Sequence, residues 1–310
     1  MAINRSDISK ELLPGLNAIF GLEYGSVDDE HLPLYEVENS DRAFEEEVLF
    51  TMFGEAPNKS EGAAVQYDSA QESYTSRYTH ETVALAFAVT EEAMEDNLYD
   101  TFAKVRAKGL ARAMASTKQV KAANTYNNAF SASYVGGDGV ALISDSHPTI
   151  GDGNQSNKIG TSAISVSTIE TAVTAIHKMK DDRGIMIGAS PVSLHIPPEL
   201  AFETDQLLNS AGLPHGSVTY PTGHYAPNDI NPVRNMSVIP QGFYVNRRFS
   251  DANNWFVKTD VPNGTKMFIR APLATKMEPD FDTGNLRFKA RERYAFGFSD
   301  WRGFYGSQGA

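Results

Sequence analysis

The stretch from 74 to 116 constrains the fold most, because two long regular patterns follow one another there without a break. In "YTSRYTHETVALAFAV" (74–89), Val83, Leu85 and Phe87 alternate with alanines at the period of a β-strand. The run before it, "AAVQYDSA" (63–70), predicts a second strand. We therefore expect a long antiparallel hairpin that projects from the body of the protein and has a polar, serine-rich tip.

A long helix is predicted directly after this hairpin. Thr90 and the acidic residues after it are typical of a helix start. Apolar residues then recur at helical spacing, at Met94, Leu98, Phe102 and Val105. Acidic residues fill the first half and basic residues the second, which suits the helix dipole, so one helix is expected over at least 91–116. Its basic residues could face nucleic acid, although a solvated face is the commoner meaning of such a run.

The middle of the chain predicts an α/β unit. Ser167 and Glu170 have the spacing of a capping box at a helix start, and Gly184 is expected to stop that helix. The run "IMIGASPVSLHI" (185–196) is typical of a buried strand. The run "PPELAFETDQLLNSAG" (197–212) predicts a helix that begins at a proline and ends at Gly212.

From 235 onwards the pattern is that of strands. The runs are "MSVIPQGFYV" (236–245), "NWFVKTD" (254–260), "KMFIRAP" (266–272) and a hairpin, "KMEPDFDTGNLRFKARERYAFGF" (276–298), that turns at "DTGN". The expected register pairs Phe281 with Leu286, Asp280 with Arg287, and Glu278 with Lys289. Pairing across a hairpin is a structural explanation for the basic residues at alternate positions, Arg287, Lys289, Arg291 and Arg293.

The composition fits a folded protein that is stabilised by packing and assembly. Of 310 residues, 41% are apolar and 21% are charged, close to the globular average. The chain has no cysteine, which excludes disulfides, thiolate metal sites and a cysteine nucleophile. A net charge of -12 argues against a protein that grips nucleic acid over most of its surface, although a local basic strip remains possible. No export signal and no membrane span are predicted.

One short run, "ALISDSHP" (141–148), contains the side-chain types of a nucleophilic triad. Asp145, Ser146 and His147 are neighbours, however, and neighbouring side chains diverge in strands and helices, so they cannot converge from one segment. The chain also lacks a G-x-S-x-G elbow. The sequence therefore favours a short strand over 141–143, followed by a polar exit whose residues cap turns and form hydrogen bonds.

No other motif predicts chemistry. "GEAPNKSEG" (54–62) resembles a phosphate loop, but Asn58 stands where a glycine is needed, so a polar loop is favoured. The histidines lack H-x-x-x-H and H-E-x-x-H spacings. His215 and His224 could share a metal only through the fold, and a glycine- and proline-rich surface loop is the simpler interpretation. We predict no catalytic, cofactor-binding or metal-binding residues, no cofactor, and a protein that is not an enzyme.

The predicted elements are too extended for one compact monomer. Residues 1–45 hold scattered apolar side chains between glycine, proline and acidic residues, which indicates an arm that needs a partner surface. An arm, a long hairpin and a long helix cannot all be buried within one subunit. The sequence therefore implies obligate self-assembly.

The order of arm, hairpin, long helix, α/β unit and closing strands resembles the major capsid proteins of tailed bacteriophages, which have the Hong Kong 97 type fold. "GGDGVALISDSHPTIGDGNQSN" (136–157) is similar to a Gly-Asp-Gly, Ala-Leu, His-Pro and Ser-Asn string in the branch that includes the Mu-like major head subunits. The helix–strand–helix text from 165 to 210 and the terminal strands from 253 to 307 are also similar.

The resemblance implies an α+β capsid fold with five parts. They are an N-terminal arm (1–47), an extended β-hairpin loop over a neighbouring subunit (48–89), a peripheral domain with the long spine helix (90–159), an axial domain (160–250), and return strands of the peripheral domain (251–310).

The resemblance also implies a function and partners. The expected protein is a shell subunit that forms hexamers and pentamers around the double-stranded DNA of a tailed phage, in a virion assembled in the host cytoplasm. A scaffolding protein, a portal and decoration proteins are expected partners, DNA contacts are expected to be weak and non-specific, and no membrane is involved. Because no long charged coiled coil precedes the arm, a separate or removed scaffold is expected. The alternative is a cellular, encapsulin-like nanocompartment shell of the same fold. A hydrolase using Ser146 or His147 is the remaining hypothesis.

Overall fold

The computed structural model describes residues 5–90, 92, 99–212, 230–280 and 283–310, with side chains from Gly15 onwards except at 99–102. The helices are α1 (Arg5–Tyr24), α2 (Tyr99–Asn127), α3 (Val166–His177), α4 (Ala201–Asn209) and α5 (Pro232–Asn235). The first six strands are β1 (Glu36–Asn39), β2 (Phe44–Phe50), β3 (Glu72–Thr79), β4 (Glu81–Val89), β5 (His147–Pro148) and β6 (Asn154–Gln155). The others are β7 (Pro191–Ile196), β8 (Phe243–Val245), β9 (Trp255–Thr259), β10 (Thr265–Pro279), β11 (Leu286–Phe298) and β12 (Phe304–Ser307).

The first sheet has the strand order β1-β10-β11-β4 and is centred on the long antiparallel hairpin β10/β11. Strand β11 alternates between buried and exposed residues, so Phe288 and Ala290 face inward while Lys289 and Arg291 face outward. Helices α1 and α2 cover the inner face, where Phe20 packs with Phe288 and other apolar side chains. The period-2 pattern of the sequence therefore gives this sheet one helix-covered face and one basic face.

The second sheet has the order β12-β9-β7-β8 and packs against α3. Ile169 and Ile176 of α3 share a core with Leu194 of β7 and with Trp255 and Val257 of β9. The predicted α+β fold is present. Not every closing strand returns to the first sheet, however, since β9 pairs with β7, and β12 pairs with β9.

Two helix boundaries in this unit differ from the prediction. The N-cap of α3 is Ser165, whose capping box uses Thr168, so the predicted box of Ser167 and Glu170 is wrong. The earlier start buries Val166 completely. The helix ends at His177 rather than at Gly184, which instead takes a positive φ of 85° in a later turn. Similarly, the strand expected over 236–245 is limited to β8, and α4 ends before Gly212.

Part of the N-terminal segment packs against its own chain. Residues 5–24 form α1, which packs along α2. Leu16 and Phe20 are almost fully buried against α2 and β11. Tyr24 continues this contact, because its hydroxyl bonds with Glu292 of β11 and Lys118 of α2. The chain itself therefore covers Leu16 and Phe20, while Leu22 of the same helix remains 78% exposed.

The hairpin is real, but its strands are not those predicted. Strand β2 (44–50) pairs with β3 (72–79), and the predicted strand at 63–70 lies in the exposed connection between them. The predicted strand at 74–89 is divided at His80 into β3 and β4. Only β3 belongs to the hairpin, because β4 pairs with β11 along the first sheet.

The long helix is confirmed and extends further than expected. It continues past 116 to Asn127, where Ala122, Ala123 and Tyr126 enter a core between the two sheets. Tyr126 is fully buried and contacts the rings of Phe256 and Phe304. The expected start at 91 and the following residues 93–98 lie outside the described part of the chain.

The C-terminal hairpin turns through a wider loop than predicted. Pro279 pairs with Leu286 and Glu278 with Arg287, which shifts the register by two residues from the expected one. The loop is closed by a 2.8 Å hydrogen bond from the Asp280 N–H to the Asn285 carbonyl. Phe281 lies outside the described residues. Asp280 still forms an ion pair with Arg287, although the two residues are not opposite one another.

Candidate functional site

The triad-like run does not form an active site. His147 is fully buried; its Nδ1 lies 2.6 Å from Asp138 Oδ2 and its Nε2 lies 3.1 Å from Asn157 Oδ1. Neither serine contacts it: the Ser144 hydroxyl accepts from the Ser146 N–H, and the Ser146 hydroxyl accepts from Asn154. Because both ring nitrogens are occupied by other partners, the ring cannot act as the base of a serine nucleophile.

Asn157 organises the segment around this histidine. Its side-chain amide donates to the carbonyls of Leu142, Trp301 and Phe304 at 2.8 to 3.0 Å. Its Oδ1 accepts from the Ser144 N–H at 2.9 Å, which fixes the orientation of the amide. The predicted strand at 141–143 is therefore wrong. These buried residues are held by Asn157, and the one bridge there joins Ala141 to Val135.

A stack of three side chains connects His147 to the end of the chain. The imidazole stacks on Trp301 with a centroid distance of 4.3 Å, and the Arg302 guanidinium lies 4.5 Å from the Trp301 ring centroid. Arg302 is itself buried and pairs with Asp182 at 2.6 Å and with Asp300 at 3.4 Å. Burial raises the pKa of the Asp300 carboxyl, while Arg302 opposes that change. We call this set of residues the buried hub; it consists of Asp138, His147, Asn157, Asp182, Asp300, Trp301 and Arg302.

The buried hub gives a structural role to the string at 136–157 that resembles the capsid family. Asp138, His147 and Asn157 come from the Gly-Asp-Gly, His-Pro and Ser-Asn pieces of the string, and they meet around one imidazole. Trp301 and Arg302 had no role in the sequence interpretation, and the only signal for them was their place in the similar terminal text. The contacts are those of a structural junction, since every polar group points at a partner within the chain.

Several large apolar side chains are exposed on the hairpin β2/β3 and on the segment that connects its strands. Its connection begins and ends at Thr51 and Gln71, which share a 2.9 Å backbone hydrogen bond. Beyond this pair the chain has no regular structure. Large side chains there are exposed to solvent, namely Met52, Phe53, Val65 and Tyr67. We call residues 52–70 the tip loop.

One anchor holds the tip loop to the body of the protein. Asp68 accepts from the backbone N–H groups of Gly54 and Ser69 at 2.7 and 2.8 Å, and these bonds lower the pKa of its carboxyl. Arg183, in the turn after α3, donates to the Ser69 carbonyl at 2.6 Å and approaches Asp68 at 3.4 Å. A groove of about 350 Å³ lies beside the hairpin base, between Phe50 and Ile187. The loop is thus fixed at one end and open elsewhere.

The outer face of the first sheet is basic. Arg287, Lys289 and Arg291 of β11 are exposed on it, beside the exposed alanines 84, 86 and 88 of β4. Arg287 forms an ion pair with Asp280. Lys276, with a smaller contribution from Lys289, lowers the pKa of the Glu278 carboxyl, so Lys289 interacts with a carboxylate of its own hairpin although it lies opposite Lys276. Pairing within the hairpin does not account for Arg291, which lies opposite Ala274 and has no ion pair among the described residues.

The described ranges hold neither a metal-binding cluster nor a membrane-spanning helix. No group of three or more His, Cys, Asp or Glu side chains there could hold a metal ion. No helix in those ranges is both long enough and apolar enough to cross a bilayer. His215 and His224 lie outside the described residues.

The fold is similar to those of several particle-forming proteins. The structure from Mycobacterium phage Adephagia is 13% identical, with a TM-score of 0.53 and coverage of 92% of this chain and 91% of the other. A virus-like particle from Pyrococcus furiosus is 9% identical, with a TM-score of 0.55 and coverage of 95% and 98%. The capsid of a native GTA particle is 15% identical, with a TM-score of 0.54 and coverage of 91% and 90%.

The sequence supplies the family. No curated protein sequence matches the chain significantly. The sequence model of a family described as "Phage capsid protein" matches residues 72–307, about three quarters of the chain. This range runs from β3 to β12 and so includes the second sheet, the first sheet except for β1, α2 and the buried hub. The expected Hong Kong 97 type capsid fold is confirmed, and the chain belongs to the phage capsid protein family, as a structural protein and not an enzyme.

Proposed function

We propose that copies of this chain assemble into the closed icosahedral shell of a tailed phage, as its major capsid protein. The family match over 72–307 is the observation that carries this proposal. The surface supports it, because the tip loop and the outer face of the first sheet expose apolar and basic groups that one subunit leaves uncovered. Each subunit should bury more than about 2,000 Å² against its neighbours, as permanent assemblies do.

The parts of the subunit have distinct proposed roles. The hairpin β2/β3 with the tip loop is the extended loop that lies over a neighbouring subunit. The first sheet, α1 and α2 form the peripheral domain, with α2 as the spine helix. The second sheet with α3 and α4 includes the axial domain, which meets its copies at hexamer and pentamer centres. The buried hub joins the two, because Arg302 beside the peripheral residues His147 and Asn157 pairs with Asp182 of the axial range.

The proposed content of the shell is double-stranded DNA held by weak contacts. A subunit with a net charge of -12 repels phosphates over most of its surface, which suits a container that must be filled and emptied. A scaffolding protein, a portal and decoration proteins complete the proposed assembly, which takes place in the host cytoplasm. The encapsulin-like compartment is the alternative, because a shared fold identifies a shell and not its content: the virus-like particle from Pyrococcus furiosus has a TM-score comparable to that of the phage structure.

Negative-stain microscopy tests the proposal directly. The full chain is expressed alone and with its scaffolding protein, and the purified product is imaged. Closed shells of uniform diameter are expected, and a product that stays monomeric or dimeric in both preparations would overturn the proposal. Nuclease-protected DNA in particles from infected or induced cells supports the phage shell. Particles that hold an enzyme and no DNA would instead establish the compartment.

A further inference from the structure

Strand β4 is an edge strand without a protected edge. It is nine residues long and pairs with β11 on one side, from Glu81 with Tyr294 to Val89 with Leu286. Within the described residues no strand lies on its other side. Edge strands are usually protected by proline, lysine, bulges or short length. β4 has none of these, and its one charged residue is Glu81 at its start.

The tip loop contains a segment that is suited to pair with such an edge strand. Residues 63–70 are the run for which the sequence predicts a strand, yet all eight are exposed and in no strand of the subunit. No backbone group of 64–67 forms a hydrogen bond within the described residues. Val65 is 67% exposed and Tyr67 is 99% exposed. This segment is therefore a strand-forming sequence that finds no partner in its own chain.

We infer that residues 63–70 of one subunit add as a strand to β4 of a second copy. The inference rests on the proposed function and specifies a contact within the shell. An extended segment that joins an exposed sheet edge gains main-chain hydrogen bonds along its length, and its side chains decide the specificity. The nine residues of β4 are long enough to receive the segment. The Asp68 anchor lies at the end of the segment and engages the Ser69 backbone, so it presents residues 64–67, whose backbone groups are free to pair.

The charges of the tip loop and of the outer sheet face favour a second copy of this chain as the partner of β4. The tip loop carries exposed Glu55 and Glu61 against one exposed lysine, Lys59. The strand next to β4 presents Lys289 and Arg291 on its outer face, and Arg291 has no ion pair among the described residues. A loop laid along β4 brings its carboxylates toward this basic row, and such complementarity helps to fix the register of a contact.

Disulfide trapping tests the pairing in assembled shells. The chain has no cysteine, so every introduced pair provides the only thiols. Val65→Cys is combined with a single cysteine at each position from 82 to 88, and mild oxidation is followed by non-reducing gels. Because side chains in a strand alternate between faces, we expect covalent oligomers at every second position and several-fold less at the positions between. The control pair is Val65→Cys with Val105→Cys, on an exposed site of α2.

A backbone variant tests the same contact without crosslinks. Val65→Pro removes an N–H that is unbonded within the subunit but needed in a strand pair, whereas Val65→Thr keeps the N–H and the strand propensity. We expect both variants to fold, with unchanged circular dichroism, and only Val65→Pro to lose closed shells.

The outcomes separate the two claims. Wild-type shells without crosslinks, with equal crosslinks at all β4 positions, or with normal assembly of Val65→Pro would overturn the strand pairing and leave the shell function standing. Failure of the wild-type chain to form shells would instead contradict the proposed function itself.

Discussion

His147 shows how one side chain can connect distant parts of a chain. Its two nitrogens bond to Asp138 and Asn157, and its ring face covers Trp301. Removing one partner of a buried hydrogen bond leaves the other polar group unsatisfied, which costs more than the bond itself contributes. The hub is therefore a place where a small substitution has a large effect on stability.

Asp138→Ala should destabilise the subunit by about 1–3 kcal/mol, because it leaves one ring nitrogen of buried His147 without its hydrogen-bond partner. The free energy of unfolding is measured by urea titration. Asp145→Ala is the matched control, since Asp145 is an exposed carboxylate in the same run, and it should change stability by less than about 0.5 kcal/mol. Equal effects of the two substitutions would show that the hub does not stabilise the fold.

His195 gives the subunit an acid-sensitive component of stability. Burial, with a smaller contribution from the charge of Lys258, lowers the pKa of His195 to about 3. The unfolded chain has a histidine pKa of about 6.5, so the unfolded state takes up the proton first. The stability that this group contributes is complete above pH 6.5 and is lost as the pH falls toward 3. Between pH 7 and pH 5 the loss is about 2 kcal/mol.

His195→Gln should remove this part of the pH dependence. Urea midpoints at pH 7 and pH 5 are compared for the wild type, His195→Gln and the exposed control His177→Gln. Burial also lowers the pKa values of His31 and His80, and those two groups act equally in all three proteins. A wild-type slope that persists in His195→Gln would contradict the assignment.

At the scale of elements, the C-terminal hairpin shows that two residues can form the predicted ion pair without lying opposite one another in the strand register. Asp280 bonds to Arg287 from the loop, and not from the opposite strand position. The sequence prediction of this pair was right in its residues and wrong in its geometry. Exposed ion pairs contribute only about 0.2–1 kcal/mol, so this pair does not determine where the hairpin turns.

Charge reversal at either partner should therefore have a small effect. Asp280→Arg and Arg287→Asp alone should each cost less than about 1 kcal/mol, and the double swap should recover part of the loss. A double-mutant cycle on thermal midpoints measures the coupling. Additive effects, with no recovery, would show that the ion pair does not form in solution.

The sequence predicted best the elements whose residues alternate regularly between the core and the solvent. β11 alternates because one face meets helices and the other meets solvent, and the order of residues reports this directly. The start of α3 was predicted two residues late because Ser165 and Ser167 can both cap, and only packing selects the start that buries Val166. The hub could not be predicted, since residues 138, 147 and 301 share no local pattern.

The wrongly predicted strand at 63–70 has a different cause. Its pattern is that of a strand, but a strand exists only when another strand pairs with it. Within the subunit β2 pairs with β3, and 63–70 is left in the tip loop. Local sequence reports the preference of a segment and not the position of its partner.

At the scale of the whole molecule, the tip loop should matter for assembly and not for folding. Replacing residues 55–67 by a Ser-Gly linker keeps the Thr51–Gln71 pair, Gly54 and Asp68, and removes side chains that are all exposed. We expect unchanged circular dichroism and thermal midpoint, together with a loss of closed shells by electron microscopy. Normal shells from this variant would show that the loop has no role between subunits.

The position of α1 decides where added peptides are presented. The helix lies on the covered side of the first sheet, against α2, while Arg287, Lys289 and Arg291 are on the opposite side. The other end of the chain is near the second sheet, where the Ala310 carbonyl accepts from Asn253. A label joined ahead of α1 and a label joined after Ala310 therefore leave from different parts of the subunit. In an engineered particle these two attachment points lie at different places on the subunit, so two kinds of cargo can be attached to one chain without competing for the same surface.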